Sequence, residues 1–458
     1  MKKITFVAAI ILLLLLNANL LKSQTADPLA NQKTKCILQY LSSLAAKPNN
    51  KVISGQWTNY RGLPNTPATE FDTAIVSINN LTSKWVGIIG TNYMRQHTAP
   101  SYSNFIDNHS QVNQPLINYD KQNGLSTVML SWNNPWNGGG DSNLGGSTNL
   151  LDCITNGHPA NTALIKDLDS IAVGFSQLQD SGVTVLFRPF HEMNGNWFWY
   201  GSKSTTLPIA SDFTALWQYT FNYLTVTKNL HNILWYYCPS ARPASETNLA
   251  FKTELFYYPG NNYVDVIGLD VYNDTLSIPN YTSIIATGKP VGIAEFGPKK
   301  ATVANMPFVY DYTRLINQIR NKYPALCHWI SWNHMLSAPT NSWYFFSLSK
   351  QNNTTALLND SWVITRDEID YTTTCTGTGF DSHFNNKDLF KLYPQPADHI
   401  VHLQFTNAGS GPLKVFNTLG EMVFSSNEKL QEIDVSQLQD GLYFVEIGAF
   451  TTKLIIKH

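Results

Sequence analysis

The stretch VTVLFRPFHE at residues 183–192 decides the fold. Its opening VTVLF is apolar without clean alternation, as expected of a parallel strand covered on both faces and not of a half-solvated antiparallel one. Seven more short runs rich in β-branched and aromatic residues lie between residues 50 and 335, at 52–57, 86–93, 127–134, 232–240, 264–272, 290–297 and 325–333. The intervals between them can hold helices, and residues 161–181 and 306–322 carry helical patterns. Eight alternations of strand and crossover predict an α/β domain, a closed (β/α)8 TIM barrel over residues 34–370, with an open doubly wound sheet as the lesser alternative. In such a barrel function gathers at the carboxyl ends of the strands, so the residues that end each run carry the chemistry.

Outside the barrel the texture changes twice. Residues 371–388 (YTTTCTGTGFDSHFNNKD) lack periodicity and read as a linker. Residues 389–458 hold strand-like pieces such as HIVHLQF, PLKVF and GLYFVEIG, punctuated by Pro394, Pro396, Gly420 and the Asp440–Gly441 turn, which predicts a small antiparallel β-sandwich. At the other end Lys2 and Lys3 precede an apolar run from Ile4 to Leu16, and Ser23 and Gln24 offer a cleavage point. Residues 1–23 therefore read as a secretory signal peptide, because a membrane anchor needs about 18 or more apolar residues. The five cysteines are scattered without a CxxC pair, so at most two disulfides form, one thiol is left over, and no zinc site is expected.

Charge excludes several partners. Lys and Arg number 31 against 32 Asp and Glu, a net −1, and no basic run occurs anywhere, which argues against nucleic acid or an anionic membrane as ligand. Charged residues make up 14% of the chain, against roughly 25% in an average soluble protein. Aromatics reach 12%, with 12 Trp and 22 Tyr, beside many Asn, Ser and Thr. That composition suits a neutral, hydroxyl-rich ligand such as a sugar.

Glutamate is scarce in the barrel region: residues 34–360 contain only Glu70, Glu192, Glu246, Glu254 and Glu295. Glu192 ends the fourth run within RPFHEMNGNWFWYG and Glu295 ends the seventh within PVGIAEFG, so both open onto one barrel face. The other three sit in loop or helix contexts and read as solvated carboxylates. Hydrolysis of a glycosidic bond needs one carboxylic acid for the departing oxygen and one ionised carboxylate on the far side of the ring, about 5 to 5.5 Å away in a retaining enzyme. Two carboxylates at that range push each other's pKa apart, so one keeps its proton near neutrality; we assign that proton to Glu192 and nucleophilic attack to Glu295. His191 lacks the second histidine of HExxH, so zinc hydrolysis is not expected and His191 reads as a hydrogen-bond partner or as a structural histidine. Arg188, four residues before Glu192, is placed to fix a carboxylate from beneath, or is structural. Trp132, Trp136, Trp197, Trp199, Tyr272 and Trp332 fall at strand ends, where flat rings stack on pyranoses. No GxSxG occurs, which counts against a serine hydrolase.

These residues resemble the glycoside hydrolase family 26 endo-mannanases over about residues 34–370. The carriers are ISGQ at the first strand, SWNNPWNGG at the third, RPFHEMNGNWFWYG at the fourth, VDVIGLDVY at the sixth, GIAEFG at the seventh and the late WVITRDEI. The resemblance implies Glu192 as acid/base and Glu295 as nucleophile. It places His191 and Trp197 in the central subsite and Tyr272 beside the nucleophile. Two positions depart from the family pattern: Trp132 is followed by Asn133 and Asn134 where a histidine is common, and Trp332 by Asn333 where some members have arginine. The tail, through LYPQPADHIVHLQF, VFNTLGEMV and IDVSQLQDGLYFVEI, resembles the C-terminal sorting domain of the type IX secretion pathway, which implies the secretion machinery as partner and export to the medium or cell surface.

The expectation is a monomeric, secreted, retaining endo-glycosidase that cleaves β-1,4-mannosidic bonds of mannan, glucomannan or galactomannan without metal or cofactor. Its substrate-binding residues are expected to be His191, Trp197, Tyr272, Trp332, Asn133, Trp132 and Arg188. The alternatives are the same chemistry on β-1,3-xylan or mixed-linkage β-glucan, and a barrel that binds polysaccharide without cleaving it.

Overall fold

The computed structural model describes residues 24–58, 70–94, 109–147, 149–204, 206–298, 310–333, 335–337, 342–344, 346–373, 375, 390–405, 412–417, 421–428, 430–447 and 450–458. The signal-peptide segment 1–23 and most of the linker, residues 374 and 376–388, lie outside the described residues. The chain divides into two compact units, Met1–Cys375 and Thr376–His458.

The first unit is a closed parallel barrel. Its strands are β1 (Val52–Ile53 and Gly55–Trp57, either side of Ser54), β2 (Ile88–Met94), β3 (Leu125–Ser131), β4 (Val185–Arg188), β5 (Ile233–Tyr237), β6 (Val266–Val271), β7 (Val291–Phe296) and β8 (Leu326–Ser331). Each pairs in parallel with the next, and β8 returns to β1 through Ile53↔His328 and Gln56↔Ser331, which closes the ring. Every one of the eight apolar runs overlaps one of these strands. Burial explains the absence of alternation: one face of each strand packs against helices and the other fills the barrel, so β3 to β8 are buried along their whole length.

Around the barrel lie α1 (Gln32–Leu44), α2 (Ser77–Thr82), α3 (His109–Asp120), α4 (Pro159–Asp180), α5 (Ala210–Asn222), α6 (Tyr281–Ile285), α7 (Thr313–Lys322) and α8 (Thr354–Leu358). The longest, α4, starts where His158 caps the chain with Pro159 at the first helical position. It ends in a Schellman turn: Gly182 takes φ 74°, its N–H donates to Gln179 O, and Val183 N–H donates to Leu178 O. That turn aims the chain straight into β4. The helix expected over 306–322 is observed from Thr313; residues 310–312 precede it without helical structure, and 306–309 lie outside the described residues.

A hairpin of β9 (Met335–Ser337) and β10 (Ser342–Tyr344) follows β8, and β11 (Val363–Ile364) adds to β1. Cys36 of α1 is disulfide-bonded to Cys375, at the end of the unit. The other three cysteines, Cys153, Cys238 and Cys327, are free and buried, so three thiols remain where one was expected.

The second unit is a sandwich of two antiparallel sheets. One contains β12 (Phe390–Tyr393), β13 (Ile400–Phe405) and β16 (Glu432–Asp434). The other contains β14 (Leu413–Asn417), β15 (Met422–Ser426), β17 (Gly441–Ile447) and β18 (Phe450–Ile456). Val401 and Leu403 of the first meet Val415, Val445 and Leu454 of the second in one apolar core. No helix among the described residues is long and apolar enough to cross a membrane.

Candidate active site

Strand β4 stops at Arg188 because Pro189 has no N–H to continue the ladder. Glu192 therefore lies four residues past the strand in a tight turn, not at the strand end as expected. Its backbone is left-handed (φ 51°), a conformation rare for a non-glycine residue and tolerated where surrounding bonds fix it. Here Glu192 N–H donates to Cys238 O at 2.7 Å, and Gly195 N–H donates to Glu192 O at 2.9 Å. Asn194 stitches the turn to the loop after β5. It accepts from Ser240 N–H at 2.8 Å and donates to the carbonyls of Ser240 at 2.8 Å and Lys252 at 3.0 Å.

Glu295 comes from within β7, one residue before its end. Arg188 Nη1 donates to its Oε1 at 2.8 Å and Tyr272 Oη donates to its Oε2 at 2.5 Å. Arg188 is fully buried and its Nη2 holds Asp270 Oδ2 at 2.6 Å, so one guanidinium bridges two carboxylates. Burial works against the Arg188 charge, but Asp270 and Glu295 more than offset it and raise its pKa above the ordinary value. Burial, then the charges of Glu295 and Glu192, push the Tyr272 phenol well up, which keeps it a proton donor to Glu295.

Glu192 has a different environment. Trp197 Nε1 donates to its Oε2 at 2.7 Å. Burial, reinforced by the charge of Glu295, raises its pKa to about 8, against the pull of the Trp197 bond and of Arg188. His191 is buried, its ring 4.7 Å from that of Phe198, and desolvation together with Arg188 holds it well below the usual histidine range, as a neutral imidazole. Tyr200 donates to His191 O at 3.1 Å.

The other expected residues separate into two groups. Trp332 remains at the barrel mouth, its backbone N–H on Phe296 O at 2.9 Å, its ring 5.4 Å from that of Trp57, and its Nε1 without a partner among the described residues. Asn133 is half-buried just past β3 with Oδ1 unpartnered. Trp132 does not reach the rim: it is 1% exposed, stacked 5.2 Å from Phe190, and its indole N–H is bonded to Pro189 O. Trp199 is likewise in the core, with Trp136 packed edge-on against it. Trp132 and Trp199 support the β4 turn and do not serve as sugar platforms.

Two of the three glutamates read as solvated are buried. Glu70 is 7% exposed, and Glu254 is 0% exposed, where its carboxylate accepts from Arg242 N–H and from Asn280 Nδ2. Sequence reasoning also missed Asp270. An aspartate inside the otherwise apolar stretch VIGLDVY was the available signal, because a buried charge needs a partner such as Arg188.

Residues 26–368 match the glycosyl hydrolase family 26, and residues 391–457 match the secretion system C-terminal sorting domain. The chain is similar to mannan endo-1,4-beta-mannosidase A and B of Caldalkalibacillus mannanilyticus, 33% identical over 389 residues that cover 81% of this chain and 69% of that protein. It is also 33% identical over 381 residues to a mannan endo-1,4-beta-mannosidase of Bacillus subtilis, covering 81% of this chain and 97% of that protein. Among solved structures, the Bacillus subtilis mannanase man26 superposes with a TM-score of 0.63 at 28% identity, covering 76% of this chain and 96% of that one. The barrel and these matches agree: the chain belongs to glycosyl hydrolase family 26, and its barrel is a glycoside hydrolase.

Proposed function

We propose that this glycoside hydrolase is a secreted endo-β-1,4-mannanase that works by double displacement, with Glu192 as acid/base and Glu295 as nucleophile. The observation that carries the reading is the contrast between the two carboxyl groups. Glu192 keeps its proton up to about pH 8, while Glu295 is gripped by the Arg188 cation and the Tyr272 hydroxyl. In the first step Glu295 attacks the anomeric carbon as Glu192 protonates the departing glycosidic oxygen. Glycosylation removes the Glu295 charge, and with it the interaction that helps to hold the Glu192 proton. Glu192, now a carboxylate, takes a proton from the incoming water, which attacks the anomeric carbon and releases Glu295. Arg188 and Tyr272 keep the Glu295 oxygens oriented, and Trp197 does the same for Glu192.

Mannan as substrate rests on the relatives, whose names specify mannan endo-1,4-beta-mannosidase. The sorting domain supports export to the medium or cell surface; we take residues 1–23 as the signal for the first membrane and the enzyme as a monomer. Product analysis on galactomannan, glucomannan, mixed-linkage glucan and β-1,3-xylan tests the reading. Short β-1,4-manno-oligosaccharides from the first two substrates are expected. Products from β-1,3-xylan or mixed-linkage glucan alone would move the substrate and keep the chemistry, and binding without reducing-sugar release would overturn the chemistry as well.

A further inference from the structure

Asn92 on β2 is 2% exposed. Its neighbour Tyr93 turns outward, with its ring 5.5 Å from those of both His109 and Phe175 on α3 and α4. By alternation Asn92 faces the barrel axis. It pairs in register with Met129, and Met129 pairs with Arg188, so the three residues form one row across β2, β3 and β4. Met129 Sδ lies 3.9 Å from Nη1 of Arg188, the nitrogen that holds Glu295. Two residues earlier on the same face is Gly90, where the Trp57 ring occupies the space a Cβ would need; that ring lies 5.1 Å from the Arg188 guanidinium. Asn92 thus faces the barrel axis in the row that leads through Met129 and Arg188 to Glu295.

One end of its amide is occupied: Nδ2 donates to Ser131 Oγ at 2.8 Å. The other end, Oδ1, is buried and accepts from no group among the described residues. Turning the amide over would put the oxygen on the Ser131 hydroxyl and the NH2 on the axis, so in either orientation one polar end points inward unpaired. Buried polar groups are nearly always satisfied, and one left open in the row that leads through Met129 and Arg188 to Glu295 is a candidate place for a ligand to supply the partner. On the adjacent strand end, Asn133 Oδ1 is open in the same way.

We propose that Asn92 is a specificity-determining residue whose free amide end hydrogen-bonds a hydroxyl of the pyranoside seated between Glu192 and Glu295. The assignment rests on the glycosidase reading above. A site built to pair with a hydroxyl discriminates against the analogue that lacks it, because the protein group is then stranded.

The test measures kcat/KM of the full-length protein and of its Asn92→Ala and Asn92→Leu variants on an aryl β-mannobioside and on the monodeoxy analogues of the ring next to the aryl group. In the variants the intact substrate is expected to lose about 10- to 100-fold. One deoxy analogue, already slowed by a similar factor in the unmodified protein, is expected to show no further loss. An equal loss on every analogue, or none on any, overturns the assignment and leaves the glycosidase reading standing. Should the variants fail to fold, the deoxy series on the unmodified protein decides: if no single deoxygenation costs tenfold, the assignment is overturned. Inactivity of the unmodified protein on every β-linked polysaccharide overturns both.

Discussion

Glu192 carries an opposed pair of influences, and their balance sets the pH behaviour. Burial and Glu295 raise its pKa to about 8, while the Trp197 N–H favours the ionised form and lowers it. Because the acid must be protonated for the first step, kcat/KM is expected to fall as pH rises through about 8. Replacing Trp197 by Phe removes a bond made to the carboxylate, so the alkaline limb should move to higher pH while kcat drops about tenfold or more from lost orientation. A pH–rate profile checks both, and a limb that moves downward contradicts the assignment. At this scale the sequence was legible where residue type and position coincided. The structure brings Arg188 and Tyr272 onto Glu295 and Trp197 onto Glu192. Asp270 was missed although its charge within an apolar run was visible, and Asn92 was not found because its significance lies in register partners on neighbouring strands, which a linear reading does not contain.

The β4 turn is the element on which the geometry depends. Pro189 ends the strand, Glu192 takes a left-handed backbone, and Asn194 clips the turn to the loop after β5. Replacing Asn194 by Ala strands the Ser240 N–H and the Ser240 and Lys252 carbonyls in a buried place, and is expected to cost about 2–3 kcal/mol of stability. Thermal unfolding reads that loss, and an unchanged Tm would mean that the clip does not hold the turn. Barrel strands were legible because apolar runs of that length have few other places to go. Their ends were not: in VTVLFRPFHE the positive φ of Glu192 goes with a backbone bond to Cys238 O, a partner that lies outside the run. Trp132 was misassigned for a related reason, since a tryptophan at a strand end can turn inward onto Phe190 as readily as outward.

At the scale of the whole molecule, a disulfide ties α1 to the last residue of the barrel unit across a sequence separation of 339. Replacing Cys36 by Ser is expected to destabilise the barrel by about 2–4 kcal/mol. Reductant should lower the Tm of the unmodified protein and leave that of the variant unchanged; equal Tm values for the two proteins before reduction would contradict it. The two-part architecture was legible in texture, barrel runs before the Thr- and Gly-rich stretch and short strands after it. The pairing of five scattered cysteines was not, because disulfide connectivity is fixed only by the fold. All of the proposed chemistry depends on a sugar becoming covalently attached to one carboxylate. Its most direct test is peptide mapping by mass spectrometry after incubation with a 2-deoxy-2-fluoro-β-mannosyl fluoride, whose fluorine slows release of the glycosyl-enzyme more than its formation. A single fluoromannosyl adduct on Glu295, absent from Glu295→Gln, is the expected result; an adduct on another residue, or steady fluoride release with no adduct at all, would contradict it.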